Sequence, residues 1–219
     1  MSDFAIMRHN MVNGQLLPEG VTRTSVLEAF LTIPREKFVP RQFARIAYMD
    51  APISFHRDRS LLRPATLARL FEALDITPQS RVLYVACGTG YGPAILSHMG
   101  AYVVALDAEE SLTQEAERLL QELGLLSGKV VLGPLTEGWS AGAPYDIIII
   151  EGCVDVIPPP LIAQLRLGGS LVTFKSCQDT QTKAIRYVRN QGVLTEIPLF
   201  DASAPHLKEF QQKERFVFE

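Results

Sequence analysis

Residues 81–91 read RVLYVACGTGY, and residues 102–107 read YVVALD. An apolar run at 82–85 enters a glycine turn, a helical stretch at 93–98 follows, and a second apolar run ends on Asp107. Strand, turn, helix and strand in this order open an α/β protein that binds an adenosine-containing ligand. Gly88 and Gly90 let the backbone approach such a ligand closely, and Asp107, seventeen positions after Gly90, can hold ribose hydroxyls. A dinucleotide fingerprint wants a small residue at 93, and Pro93 there disfavours a nicotinamide enzyme. Plainer readings stand beside these. The two glycines can simply make a tight turn, Asp107 can cap the following helix, Cys87 can be a small apolar filler, and Trp139 can be packing.

Outward from this unit the pattern keeps alternating. A helix is expected over 111–123, with Leu112, Ala116, Leu119 and Leu120 inward, and strands over 129–132 and 146–150. The run at 146–150 is almost wholly apolar, as a strand buried on both faces requires. A short helix over 160–165 and a strand over 170–174 follow, with late strands at 182–189 and 215–219. Upstream, Val26, Leu27, Phe30 and Leu31 predict a helix over 24–32 that Pro34 ends, and Pro64 can start another through about residue 74. The rest of 1–60 reads as a loop-rich extension, ahead of an α/β domain over 61–219. Alternation of this kind gives a mostly parallel sheet with helices on both faces, closed at one edge by an antiparallel hairpin.

In 219 residues, 47% apolar and 21% charged, there is room for a sizeable core. A net charge of −3 gives no bulk pull toward nucleic acid or anionic membrane. No apolar run approaches the length of a bilayer span, and the first ten residues lack the apolar core of a signal peptide. Cys87, Cys153 and Cys177 stand apart without a Cys-x-x-Cys pair, which fits reduced thiols in the cytoplasm; the four histidines lack metal-ligand spacing. Arg57, Arg59 and Arg63 read either as a solvated face or as receivers of an anionic substrate.

Ligands of such sheets bind beyond the carboxyl ends of the strands, so loops 86–91, 107–108 and 151–154 should converge, with the turn at 133–138 as a wall. Several longer motifs carry a family resemblance. They are NMVNGQ at 10–15, IPREKFVP at 33–40, AYMD at 47–50, APYD at 143–146, and Gln164-Leu165 followed by Gly168-Gly169. On these the chain resembles the protein-L-isoaspartate O-methyltransferase family across residues 10–175. The resemblance implies a class I methyltransferase fold, a seven-stranded, mostly parallel sheet with an N-terminal extension. It implies S-adenosyl-L-methionine as cofactor, held at Ala86, Cys87, Gly88, Thr89, Gly90, Asp107, Ala108 and Leu135. It further implies methyl transfer to a carboxylate of a protein or peptide.

The chain departs from that family at the ligand end. Leu62 fills the slot of a serine that orients the acceptor, and leucine donates no hydrogen bond. Tyr84 replaces an acid of the first sheet strand, Ala86 the first loop glycine, and Gly133-Pro134-Leu135 a turn whose acid faces the adenine. Glu151 stands where a small or hydroxyl residue would end the fourth strand. Ser60, Arg63 and Thr66 are candidate replacement donors for the substrate. Two readings follow. Either the cofactor binds and a carboxylate or another acceptor, small molecules included, is methylated near Glu151, or the chain is an inert binding or scaffold protein.

Overall fold

The N-terminal extension is organised by burial. The computed structural model describes residues 3–56, 59–177, 181–191 and 193–211. Its first helix, α1 (Asp3–Met11), buries only Met11, a pattern too weak to read from sequence. Helix α2 (Thr24–Thr32) is where the spacing puts it, with Val26, Ala29 and Phe30 buried on one side. The Glu72 carboxylate accepts the Arg23 amide just ahead of its first turn at 3.1 Å, and Pro34 follows its end. The next stretch is not all loop: β1 (Ile53–His56) and β2 (Arg59–Leu61) pair antiparallel as a two-stranded sheet of their own. Strands of four and three residues are too short to show a period of two.

Pro64 is the first residue of α3 (Pro64–Glu72), as expected of a residue with no N–H to lose. The main sheet then follows: β3 (Arg81–Val85), α4 (Tyr91–His98), β4 (Tyr102–Asp107), α5 (Glu110–Glu122), β5 (Lys129–Leu132), β6 (Tyr145–Val154), α6 (Pro159–Gln164), β7 (Leu165–Cys177), β8 (Gln181–Asn190) and β9 (Val193–Ala202). Their order is β5-β4-β3-β6-β7-β8-β9. The first five are parallel, and β8 and β9 close the edge antiparallel. The edge hairpin was anticipated, but its outer strand is β9, which the sequence reading left unassigned. The strand expected at 215–219 lies outside the described residues.

Alternation along β3 divides the core. Val82 and Tyr84 join the cluster of α2, α3 and α4, with Phe30, Phe71 and Tyr91; Leu83 and Val85 join Leu106, Ile148, Ile150 and Leu161 on the other face. The order of the strands reverses at β3, between β4 and β6, so a crevice is expected beyond their carboxyl ends. Among the described residues no helix is long and apolar enough to cross a membrane.

One buried cation ties the extension to this core. Arg35 is fully buried, and it donates from Nε to the Ala47 carbonyl and from Nη2 to the Leu62 carbonyl, each at 2.6 Å. Its guanidinium carbon lies 5.0 Å from the centre of the Tyr91 ring. Burial lowers its pKa from the ordinary arginine value. Arg35→Leu strands two buried carbonyls, so it should cost about 2–4 kcal/mol in urea denaturation; a loss below about 1 kcal/mol would show that the extension is held by its apolar contacts alone.

Candidate active site at the carboxyl edge of the sheet

The turn after β3 reproduces the expected cradle in backbone. Gly88 (φ +54°) and Gly90 (φ +92°) occupy the left-handed region that glycine tolerates. A β-carbon on Gly90 would lie 3.1 Å from that of Ala116 on α5, so this glycine also sets how closely helix and turn pack. Ala86 takes φ +61°, a conformation that costs an L-residue roughly 1–2 kcal/mol, where the resemblance places a glycine. Thr89 donates from Oγ1 to the Phe38 carbonyl at 2.6 Å, and Cys87 is buried, its thiol pushed up by burial and then by the nearby Asp107 charge. Cys87 is therefore a packing residue.

Asp107 ends β4 with no exposed surface. Its oxygens accept the amides of Gly88 at 2.9 Å, Ala108 at 2.8 Å and Glu109 at 3.3 Å. Asp107, expected to hold ribose hydroxyls, also has a side-chain partner in this structure. Arg59, from β2, donates Nε to one Asp107 oxygen and Nη2 to the other, both at 3.1 Å. Arg59 is 4% exposed, so it is not part of a solvated basic face. Burial pulls its pKa down, but hydrogen bonds to Asp107 and its charge outweigh that, and the net shift is upward. Glu209 accepts from the same Nη2 at 3.3 Å. The hairpin covers the glycine turn as well: a β-carbon on Gly88 would lie 3.2 Å from the tip of the Phe55 ring.

A second polar group lies at the end of β6. Glu151 is 6% exposed, and its Oε2 accepts the Tyr84 hydroxyl at 2.8 Å. Burial drives its pKa up to about 8, against the Tyr84 hydrogen bond, the Arg35 charge and the Leu62 backbone amide, which pull it down. Tyr84, buried beside this acid, is pushed well above its ordinary value, first by burial. A β-carbon at Gly92 would collide with the Tyr84 hydroxyl, so the larger residue at 84 depends on that glycine. Glu151 Oε1, Arg35 Nη1 and the Tyr91 hydroxyl are buried without a hydrogen-bond partner.

The other expected residues divide. Leu62 is fully buried just after β2; its carbonyl accepts from Arg35, and its backbone amide lies close enough to Glu151 to help lower that acid's pKa. Leu135 is buried in a 3₁₀ turn (Leu135–Glu137), in one apolar cluster with Ala86 and Leu106. Ser60 pairs its hydroxyl with that of Ser54 across the hairpin at 2.9 Å. Arg63, a candidate for the substrate, pairs with Asp50 and Glu19. Thr66 is buried on α3, and Arg57 lies outside the described residues. Trp139 is partly buried against the cluster of Leu135, as packing requires. Arg35, Phe55 and Tyr91 were not singled out as site residues; only burial and contact reveal them.

The sheet, its switch point and the glycine–aspartate turn define a class I methyltransferase fold. A family model described as protein-L-isoaspartate(D-aspartate) O-methyltransferase matches residues 7–197. A protein-L-isoaspartate O-methyltransferase of Gloeobacter violaceus is 36% identical over 190 residues, which cover 87% of this chain and 93% of the relative. One of Methanoculleus marisnigri is 34% identical over 195 residues, covering 88% and 87%. The chain belongs to the protein-L-isoaspartate O-methyltransferase family. Among solved structures, a protein-L-isoaspartate O-methyltransferase superposes with TM-score 0.80 at 24% identity over 91% of this chain and 65% of its own. A Plasmodium falciparum protein, solved in complex with S-adenosyl-L-homocysteine, gives TM-score 0.77 at 18% identity over 95% and 100%.

The pH response of Glu151 follows from its raised pKa. An unfolded glutamate ionises near pH 4.3, but the folded one keeps its proton to about 8, so stability falls as pH rises through that window. The slope from this group is up to about 1.4 kcal/mol per pH unit. Thermal unfolding of Glu151→Gln should gain on the parent steadily from pH 5 to 8, and parallel curves would place the ionised form in the folded protein.

Proposed function

We propose that this chain transfers a methyl group from S-adenosyl-L-methionine to an isoaspartyl or related carboxylate of a protein or peptide. Its backbone supports a nucleoside at the cradle. Asp107 is fixed by three amides, and its two oxygens take a pair of parallel N–H donors from Arg59. Two neighbouring ribose hydroxyls would present the same pair of donors, so the group fits once Arg59 gives way. Asp107, Ala108, the turn at 86–90 and Leu135 would hold it. When bound, the cofactor supplies an electrophilic methyl on a sulfonium.

The acceptor is argued from Glu151. A carboxylate is already ionised at neutral pH and needs no base, only orientation and the exclusion of water. With its pKa pushed up to about 8 by burial, Glu151 favours the protonated form at pH 7. In that form it does not repel an incoming carboxylate and can donate a hydrogen bond to it. It lies against the Leu62 backbone, where the resemblance expects a hydroxyl donor. An amine or alcohol acceptor would instead want an ionised base, so the neutral acid favours a carboxylate. The buried thiols of Cys87 and Cys153 are compatible with the cytoplasm, where thiols stay reduced. The hairpin on Asp107 favours the scaffold reading, beside the departures at 62, 84, 86 and 133–135.

Labelled S-adenosyl-L-methionine and an isoaspartyl peptide test this directly. The expected result is labelled methanol from the isoaspartyl peptide and none from its aspartyl isomer. Glu151→Leu should lower the rate about 100-fold, and Glu151→Gln, which keeps a donor, should lower it far less. No methanol from the parent protein would support the scaffold reading; equal rates in the two variants would remove Glu151 from acceptor binding.

A further inference from the structure

The hairpin β1–β2 bonds as a sheet of its own, outside the main sheet, yet it delivers a buried cation to the deepest carboxylate of the cradle. Two contacts seat it there: Phe55 on Gly88 and the Arg59 fork on Asp107. A third comes from the far end of the chain. Segment 205–211 lies along the end of β6 through the Cys153 amide on the Pro205 carbonyl at 2.7 Å and the Leu207 amide on the Cys153 carbonyl at 3.0 Å. That places Glu209 in the 3₁₀ turn Lys208–Phe210, where it meets Arg59 Nη2 at 3.3 Å.

The chemistry of the two possible occupants of Asp107 is the same. A guanidinium sends two parallel donors into two carboxylate oxygens. A ribose diol does this too, and the two cannot share the carboxylate. We infer that Arg59 is an intrachain competitor for the nucleoside half of the methyl donor, and that the β1–β2 hairpin, latched by Glu209, holds the site closed until the donor displaces it. The inference rests on the donor assignment above and adds to it the element that sets donor affinity. Asp107 does not collapse when Arg59 leaves, because the Gly88, Ala108 and Glu109 amides still hold it. The observed affinity is then the intrinsic one multiplied by the fraction of molecules with the hairpin lifted.

Calorimetry with S-adenosyl-L-homocysteine on the parent protein, Arg59→Ala and Glu209→Gln tests the inference, with circular dichroism to establish folding. Arg59→Ala should bind at least tenfold tighter than the parent. Glu209→Gln, which loosens only the partly exposed latch, should bind severalfold tighter and keeps the test open should Arg59→Ala not fold. Equal or weaker binding by folded variants, with the parent binding normally, would overturn the competitor and leave the donor assignment standing. No binding by any of the three would overturn both.

Discussion

The buried ion pair between Arg59 and Asp107 decides what the carboxyl edge of this sheet can do. Removing a guanidinium and a carboxylate from water costs several kcal/mol per ion, and mutual attraction offsets this only with good geometry and further hydrogen bonds. The two partners differ in their support. Asp107 has three backbone amides besides Arg59 and is fixed by the turn that carries them. Arg59 arrives on a separate two-stranded sheet that meets the cradle through an aromatic edge and a charge. The carboxylate belongs to the scaffold, and the cation is the exchangeable part. On the proposed reading, such an arrangement would keep the cradle formed while making a nucleoside's access to it conditional.

Below that pair lies a layer of rearranged polarity. In the first sheet strand Tyr84 stands where relatives are expected to carry an acid, and an acid stands instead at 151 on the adjacent strand β6. The tyrosine hydroxyl serves this displaced acid, and Gly92 leaves the space that the phenol ring needs. Arg35 faces the same layer, and its charge pulls the Glu151 pKa down without overcoming burial. The substitutions at 62, 84 and 151 thus form one connected change. Where the family resemblance expects a hydroxyl donor at 62, Leu62 offers none, and an acid whose pKa is raised by burial lies beside its backbone.

Much of this fold is legible in the sequence. Helix α2 was bounded correctly because Pro34 and the spacing of Val26, Leu27, Phe30 and Leu31 are strong local signals, although the buried side is that of Val26, Ala29 and Phe30 and Leu31 is exposed. Strand β5 and the inward face of α5 were equally plain, and the turn at 86–90 followed from its glycines. The paired strands Ile53–His56 and Arg59–Leu61 were not legible, since they are short and held in place by tertiary contact. For the same reason Arg59 looked like one of three surface arginines. A charged side chain is buried by a partner 48 residues away, and no local pattern announces that partner. Leu62 and Glu151 were recognisable as departures from a family pattern, but their connection through Tyr84 and the Leu62 backbone is a property of the fold.

The most direct measurement is amide hydrogen exchange across β1, β2 and the turn at 86–90, with and without saturating S-adenosyl-L-homocysteine. Displacement of Arg59 predicts that ligand lowers protection in the hairpin while the Gly88 and Ala108 amides, bonded to Asp107 in either state, stay protected. Hairpin protection that is unchanged or raised by bound ligand would contradict the account.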